Sequence, residues 1–301
     1  MSGAAELDIR EYLRNEKDRI DRVLAELAPP GQSGLHEAMA YSLAAGGKRL
    51  RPILAVSAFR ACGGVESDGL YRAVCALELI HTYTLIHDDL PVMDNDDFRR
   101  GLPTCHRRFG ERRAVLAGSG LLLLAFEVLA RSATGMGLES EIVSRAVASV
   151  AEAVGGGGVI GGQVVDLESE GHKVDRDTLG YIHTHKTGAL IRVSCTLGAL
   201  LARADRDRLA ALAAYGEDIG LAFQIVDDLL DIEGDFALLG KTTGADQARG
   251  KATFPVLYGL EESRRMAAES VERACGVLKA TDTGRDGILS ALAGFILDRK
   301  A

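Results

Sequence analysis

The stretch LIHDDLPVMDNDD, residues 85–97, places five aspartates directly after a long apolar segment. That apolar segment is typical of a buried helix. Pro91 lies between Asp88 and Asp94, and proline disrupts helix interiors. We therefore expect the helix to end or bulge here, so that Asp88, Asp89 and Asp94 converge.

A second acidic cluster, VDDLLD at 226–231, lies inside the apolar run LAFQIVDDLLDI. Asp227 and Asp231 are four residues apart, which places them about 40° apart on one face of a helix, with Gln224 close by. Carboxylates on a helix packed on most sides repel each other and lose hydration, so they need a counter-charge. Mg²⁺ suits such oxygen ligands. The alternative is that both clusters are solvated helix ends.

Most of the chain shows apolar residues at helical spacing, and no stretch alternates strictly as a half-buried strand does. The Gly run at 155–158 predicts a break before GGQVVDL. The simplest interpretation is one all-α domain over residues 1–301. We predict helices at 5–27, 35–45, 52–61, 66–90, 112–131, 138–154, 176–202, 207–232, 252–280 and 284–299.

Composition narrows the class of protein. The 301 residues are 47% hydrophobic but only 5% aromatic, with six prolines, which favours helices packed on small side chains. A formal net charge of −8 argues against a nucleic-acid binder. Five dispersed cysteines and a charged N-terminal segment without a signal-peptide core predict a reduced, cytoplasmic protein.

The best candidate for a membrane span is AVLAGSGLLLLAFEVLA at 114–130. It contains Glu127, is flanked by arginines, and falls short of the roughly 20 apolar residues that a span needs. We expect a buried core helix here and no stable membrane insertion.

Basic motifs accompany the acidic ones. Magnesium held by few carboxylates completes its shell with water and substrate phosphates, which predicts lysines and arginines near the aspartates. Glycine next to Lys48, Lys241 and Lys251 permits close backbone approach to an anion. The motifs are GGKRLRP (46–52), FRRGLPTCH (98–106), HKTGAL (185–190) and GKTTGADQARGKATFP (240–255).

These segments resemble the trans-polyprenyl diphosphate synthases, and most closely the bacterial farnesyl diphosphate synthases, whose first acidic motif is also D-D-x(4)-D. The likeness rests on six motifs in the family's order over nearly the whole chain: GGKRLRP, LIHDDLPVMDNDDFRRGLPTCH, GGQVVDL, HKTGALI, FQIVDDLLD and GKATFPVLYGLE. It implies a helical bundle of the isoprenoid synthase type around a central cavity, and a homodimer. It also implies Mg²⁺-dependent ionisation, condensation and elimination, joining isopentenyl diphosphate to dimethylallyl or geranyl diphosphate.

The resemblance also implies a role for each matching residue. Direct ligands of three Mg²⁺ ions would be Asp88, Asp94 and Asp227, assisted directly or through water by Asp89, Asp228 and Asp231. The allylic diphosphate would be held by Arg99, Lys186 and Lys241, with Thr187 and Gln224 at the reacting centre. Isopentenyl diphosphate would be bound by Lys48, Arg51, His81 and Arg100, and Lys251 would close over the metal cluster.

Product length is predicted from the same resemblance. In this family the positions four and five before the first aspartate set the depth of the cavity, and here they are Thr84 and Tyr83. The bulk of Tyr83 favours a short cavity and a farnesyl product. The alternative is that Tyr83 only packs in the core with its hydroxyl hydrogen-bonded.

Three other functions compete with farnesyl diphosphate synthesis. A geranylgeranyl diphosphate synthase would share every catalytic motif. A terpene cyclase is disfavoured by VDDLLD and by the second diphosphate motif GGKRLRP, and a non-catalytic subunit by the intact aspartates and basic residues. One departure is Ser119, where the family commonly has aspartate; we expect modest effects from it, although it is also compatible with a specialised paralogue.

Overall fold

The computed structural model describes residues 8–28, 33–172, 174–233, 253–284 and 287–299. Within them the chain is almost entirely helical, which confirms the all-α prediction. The α-helices are α1 (Ile9–Leu27), α2 (Gly34–Ala44), α3 (Leu50–Ala61), α4 (Asp68–Asp88), α5 (Cys105–Phe109), α6 (Glu111–Gly135), α7 (Ser140–Val154), α8 (Val159–Ser169), α9 (Arg176–Ile182), α10 (Ala189–Leu201), α11 (Arg206–Glu233), α12 (Phe254–Tyr258), α13 (Leu260–Ala280) and α14 (Ile288–Leu297).

Two helices, α4 and α10, form the centre of the bundle because their side chains are apolar on nearly every side. Leu77 and Ile80 of α4 and Leu197 of α10 are fully buried. Helix α4 packs against α3 and α6, and α10 packs against α3, α7 and α11. This core fixes the end of α4, where the first acidic cluster begins.

Helix α11 carries the second acidic cluster and packs against α10, α13 and α14. Beyond its middle, Ile225 and Leu229 join a smaller apolar cluster with Phe254 of α12. This apolar packing holds the second half of α11 in place and so fixes the position of the second acidic cluster.

Five elements differ from the sequence prediction. The short helix α5 was not predicted, and the predicted helix 252–280 is divided into α12 and α13 at Gly259, which has φ of 83°. The break predicted at 155–158 is present, but GGQVVDL after it lies within a helix, α8, that was not predicted. The predicted helix 176–202 is divided by a π-helical turn, His183–Gly188. A two-residue hairpin, β1 (Phe98–Arg99) paired antiparallel with β2 (Leu102–Pro103), follows the first acidic cluster.

Helix α6 includes the segment 114–130, the best candidate for a membrane span in the sequence. By length and composition alone α6 and α11 could each cross a membrane, but 50% of the apolar window of α11 is buried inside the bundle, and 39% of that of α6. Leu116 and Leu123 of α6 remain 58% and 72% exposed. Ser119 lies between them in the helix and donates its hydroxyl to the Val115 carbonyl.

Candidate active site

A cavity of about 550 Å³ gathers residues from distant motifs. It has the carboxylates of both acidic clusters and the basic groups of three motifs in its wall. The residues predicted from sequence that line it are Lys48, Arg51, His81, Thr84, Asp88, Asp94, Arg99, Arg100, Lys186, Thr187, Gln224 and Asp227.

The first acidic cluster begins where α4 ends, as predicted. Asp88 is the last residue of the helix, and the Asp94 amide donates to its carbonyl over 2.8 Å. This turn brings both side chains to the cavity wall. Burial raises the pKa of Asp88 to about 6, against the attraction of Lys186. The fold therefore holds a carboxylate where its charge is poorly solvated.

Asp89 does not line this cavity but holds Arg99. It is 3% exposed and accepts from Arg99 Nε at 2.8 Å and from Arg99 Nη2 at 2.5 Å. A bidentate pair of this kind fixes the planar guanidinium strongly. Asp89 thus positions Arg99, whose side chain does reach the cavity wall.

In the second acidic cluster only Asp227 lines the cavity. Asp228 is 2% exposed and accepts from the Phe254 amide at 2.9 Å and from Gln224 Nε2 at 2.8 Å. It therefore joins α11 to the start of α12. Asp231 is half-buried and does not belong to the cavity wall, so its role as a metal ligand stays a prediction.

The loop before α3 is anchored by an arginine that sequence reasoning did not single out. Arg49 is 4% exposed and has a left-handed backbone, with φ of 51°. Its guanidinium donates to Glu78 at 2.7 Å, to Asp21 at 2.8 Å and to the Leu43 carbonyl at 2.8 Å. This three-point attachment sets the loop in place beside the cavity.

The predicted isopentenyl diphosphate residues cluster around that loop. Lys48 and Arg51 flank Arg49, and Arg100 donates to the Gly46 carbonyl from the β-hairpin. Gly47 has φ of +135°, and a Cβ there would lie 2.7 Å from Arg100 Nη2. Glycine suits this left-handed backbone, so Gly47 favours the loop conformation that lies against Arg100.

His81 lies among these cations. Burial, and then the charge of Arg51, lower the pKa of His81 well below 6.5. The imidazole is therefore neutral in the folded protein at neutral pH, where it can donate one hydrogen bond and accept another.

The neutral His81 predicts a pH-dependent stability. Between its folded pKa and 6.5 the unfolded chain binds the extra proton, so the free energy of unfolding falls as pH drops below 6.5, by at most about 1.4 kcal/mol per pH unit. Urea unfolding of His81→Gln at pH 7.5 and pH 5.5 should show a shallower loss than the wild type. The surface variant His172→Gln should keep the wild-type slope; an unchanged slope in His81→Gln would contradict the assignment.

The π-helical turn presents Lys186 and Thr187 to the cavity. Lys186 Nζ is 2.5 Å from Asp166 Oδ2, and Thr187 donates to Gln224 Oε1 at 2.9 Å. Single π-turns are frequent at functional sites. Asp166 was missed as a site residue, although it lies in the quoted motif GGQVVDL.

The chain-length residues occupy different environments. Thr84 lines the cavity and donates its hydroxyl to the His81 carbonyl at 2.8 Å. Tyr83 is 7% exposed, and its ring packs edge-on against His87 with centroids 5.1 Å apart. It lies outside the wall of the 550 Å³ cavity, so its action on chain length stays a prediction.

Two predicted residues, Lys241 and Lys251, fall in the segment 234–252, outside the described residues.

Arg299 lines the cavity, although the sequence analysis did not predict it as a site residue. Its Nη2 is 2.9 Å from Asp227 Oδ1, and its guanidinium lies 4.4 Å from the centre of the Phe223 ring. No motif around residue 299 indicated this contact.

The donor set of the cavity suits a hard divalent cation. Asp88, Asp94 and Asp227 offer carboxylate oxygens, the ligands that Mg²⁺ prefers. Across the described parts of the chain, no three acidic, histidine or cysteine side chains stand close enough to cage a metal alone. That arrangement fits an ion that shares its shell with water and substrate phosphates.

Comparisons with known proteins identify the family of the chain. A family model described as polyprenyl synthetase matches residues 32–285. The farnesyl diphosphate synthase of Escherichia coli (strain K12) is 45% identical over 291 residues, covering 95% of this chain and 96% of that protein. The chloroplastic heterodimeric geranylgeranyl pyrophosphate synthase large subunit 1 of Arabidopsis thaliana is 44% identical, covering 99% and 81%.

Solved structures give the same result for the fold. The crystal structure of an FPP/GFPP synthase from Zymomonas mobilis matches with a TM-score of 0.83 and 36% sequence identity. The match covers 96% of this chain and 99% of that one.

Proposed function

The chain belongs to the polyprenyl synthetase family, and we propose that it condenses isopentenyl diphosphate with dimethylallyl and geranyl diphosphates to farnesyl diphosphate. The observation that carries this proposal is the single cavity lined both by carboxylates of two acidic clusters and by basic residues of three motifs. A synthase of this kind binds two diphosphates, and the cavity offers a separate group of cations to each of them.

The allylic substrate is placed with its diphosphate toward the acidic clusters. Asp88, Asp94 and Asp227 would hold three Mg²⁺ ions, the number typical of the family, with Asp231 as a further candidate ligand. When bound, these ions neutralise the charge that develops on the leaving diphosphate. Lys186 adds a positive charge beside them, steadied by Asp166. Arg99, oriented by Asp89, adds a second.

Isopentenyl diphosphate is placed at the basic end of the cavity, beside the loop before α3. Lys48, Arg51 and Arg100 bind its diphosphate, since guanidinium groups match phosphate oxygens in charge and geometry. The neutral His81 adds a hydrogen bond. Glu78 and Arg49 hold the loop that carries these groups.

The reaction then follows from this placement. The carbon–oxygen bond of the allylic substrate breaks, and the bonding electrons leave with diphosphate. The isopentenyl double bond attacks the allylic carbon, and a proton lost from the adduct passes to the released diphosphate. Apolar side chains in the wall keep water from the allylic carbocation that forms when this bond breaks. They are Leu85, Val159, Leu190 and Phe223.

The test is a product assay. Purified protein is incubated with isopentenyl diphosphate, Mg²⁺ and either dimethylallyl or geranyl diphosphate, and the prenyl products are sized by mass spectrometry. A fifteen-carbon main product supports the proposal. A twenty-carbon main product would make the chain a geranylgeranyl diphosphate synthase, and no product would favour the non-catalytic subunit.

Product length gives a sharper prediction. Tyr83→Ala should shift the main product from fifteen to twenty or more carbons, because removing the ring deepens the space beside α4. Tyr83→Phe keeps the ring and should retain the farnesyl product. If Tyr83→Ala still made only the farnesyl chain, Tyr83 would be a core residue and nothing more.

We also propose that the chain forms one domain, works in the cytoplasm as a homodimer, and uses neither nucleic acid nor a membrane anchor. Support for the dimer comes from the exposed apolar face of α6, where Val115, Leu116 and Leu123 are 42%, 58% and 72% exposed. Apolar faces of this kind commonly mark contacts between proteins. The same face explains why only part of α6 is buried within one chain.

A further inference from the structure

Arg299 is the cation of the cavity that neither the motifs nor the proposed reaction uses. It follows α14, and its side chain is only 10% exposed. Nη2 lies 2.9 Å from Asp227 Oδ1, and the guanidinium stacks on Phe223. It therefore contacts the one residue of the second acidic cluster that faces the cavity.

The remaining donors of Arg299 are poorly satisfied. Its Nε and Nη1 atoms are buried and have no hydrogen-bond partner within the described ranges. Unpaired buried donors are costly, so hydrogen bonding does not explain why the side chain lies here. The attraction of Asp227, together with stacking on Phe223, does.

The charge of Arg299 also changes the pKa of a neighbouring lysine in the cavity wall. Burial, and then Arg299, lower the pKa of Lys48, whereas Asp227 acts in the opposite direction. Arg299 and Asp227 thus form a local pair of opposite charges within the substrate cavity, close to the basic end.

We propose that Arg299 is an internal counter-ion that takes the place of the divalent cation at Asp227 in the substrate-free enzyme and must leave before metal binds there. The proposal rests on the proposed function, since it takes Asp227 as a metal ligand. The two states exclude each other because a guanidinium 2.9 Å from a carboxylate oxygen repels a dication on the same carboxylate. Arg299 would keep Asp227 neutralised until a metal–diphosphate complex arrives.

Direct metal binding tests this without turnover. Mn²⁺ is titrated into the substrate-free protein, and free Mn²⁺ is followed by electron paramagnetic resonance. Arg299→Gln should bind Mn²⁺ about five-fold more tightly than the wild type, the size expected when a competing ion pair is removed. Arg299→Lys keeps the charge and should bind closer to the wild type.

Two further variants locate the effect. Adding Asp227→Asn to Arg299→Gln should abolish the gain in Mn²⁺ affinity. Arg273→Gln is the matched control, because it removes a 2.7 Å pair with Asp218 on the same helix α11 but away from the cavity, and should change nothing.

Unchanged or weaker Mn²⁺ binding in Arg299→Gln would overturn the proposal, and so would a lack of Mn²⁺ binding in both the wild type and this variant. Failure of the proposed function is a separate result. It would appear as no prenyl product from the wild type in the product assay, whatever the Mn²⁺ affinities are.

Discussion

Asp88→Asn is expected to lower kcat by about a hundred- to a thousand-fold, the loss typical of removing one group that stabilises developing charge. The change takes a negative charge from the cavity wall at the site proposed for Mg²⁺ and the leaving diphosphate. Steady-state rates at saturating substrates and Mg²⁺ measure it. The variant should fold normally, because burial raises the pKa of Asp88 to about 6 and the fold thus disfavours its charge.

The matched control is Asp97→Asn in the same acidic segment. Asp97 is exposed, pairs with Arg107 at 3.1 Å and lies outside the cavity wall. Exposed pairs of this kind contribute little, so kcat should stay within about two-fold. Equal losses in both variants would mean that the segment acts through its total charge and not through the position of Asp88.

Arg51→Gln is expected to raise KM for isopentenyl diphosphate by about ten- to a hundred-fold, as loss of a charge-assisted hydrogen bond does. KM for the allylic substrate should change little, because Arg51 belongs to the basic end of the cavity. The Arg51 Nε atom is buried without a hydrogen-bond partner in the described part of the chain, which leaves a donor for the ligand. Initial rates with each substrate varied in turn give both constants.

Arg51→Lys keeps the charge but loses the planar fork, so its KM for isopentenyl diphosphate should lie between those of the wild type and Arg51→Gln. Arg145→Gln, on the exposed surface of α7, should leave both constants unchanged. An equal rise in both KM values for Arg51→Gln would contradict the division of the cavity into two diphosphate sites.

The sequence predicted much of the fold because helical periodicity is a local property. It placed the end of α4 at the aspartates, since proline at position 91 cannot continue a helix. It placed the break at the Gly run 155–158 but missed α8, the helix that follows this break. A Cβ at Gly162 would lie 2.3 Å from the Lys186 amide nitrogen, so this glycine serves a close contact between α8 and the π-helical turn.

The candidate site was predicted by residue type more reliably than by orientation. Spacing alone grouped the neighbouring aspartates, and only the family resemblance separated Asp88 and Asp227 from the residues that follow them. In the structure Asp88 lines the cavity while Asp89 holds Arg99. Asp227 lines it while Asp228 accepts from the Phe254 amide at the start of α12. Adjacent residues on a helix point about 100° apart, so only the packing of the bundle decides which one faces the site.

Long-range partners were beyond the sequence for another reason. Asp166 and Lys186 are 20 residues apart, and Arg49 and Glu78 are 29 apart. Arg299 contacts Asp227 from the far end of the described chain. No local pattern marks such pairs, because each residue alone is indistinguishable from a surface charge.

The central claim is that the two acidic clusters hold divalent metal together with a diphosphate in one cavity. It is tested most directly by a crystal structure with Mn²⁺ and an allylic diphosphate whose bridging oxygen is replaced by sulfur, using anomalous scattering to locate the metal. The account predicts manganese between the diphosphate and the side chains of Asp88, Asp94 and Asp227. Manganese bound elsewhere, or a diphosphate lying away from both clusters, would contradict it.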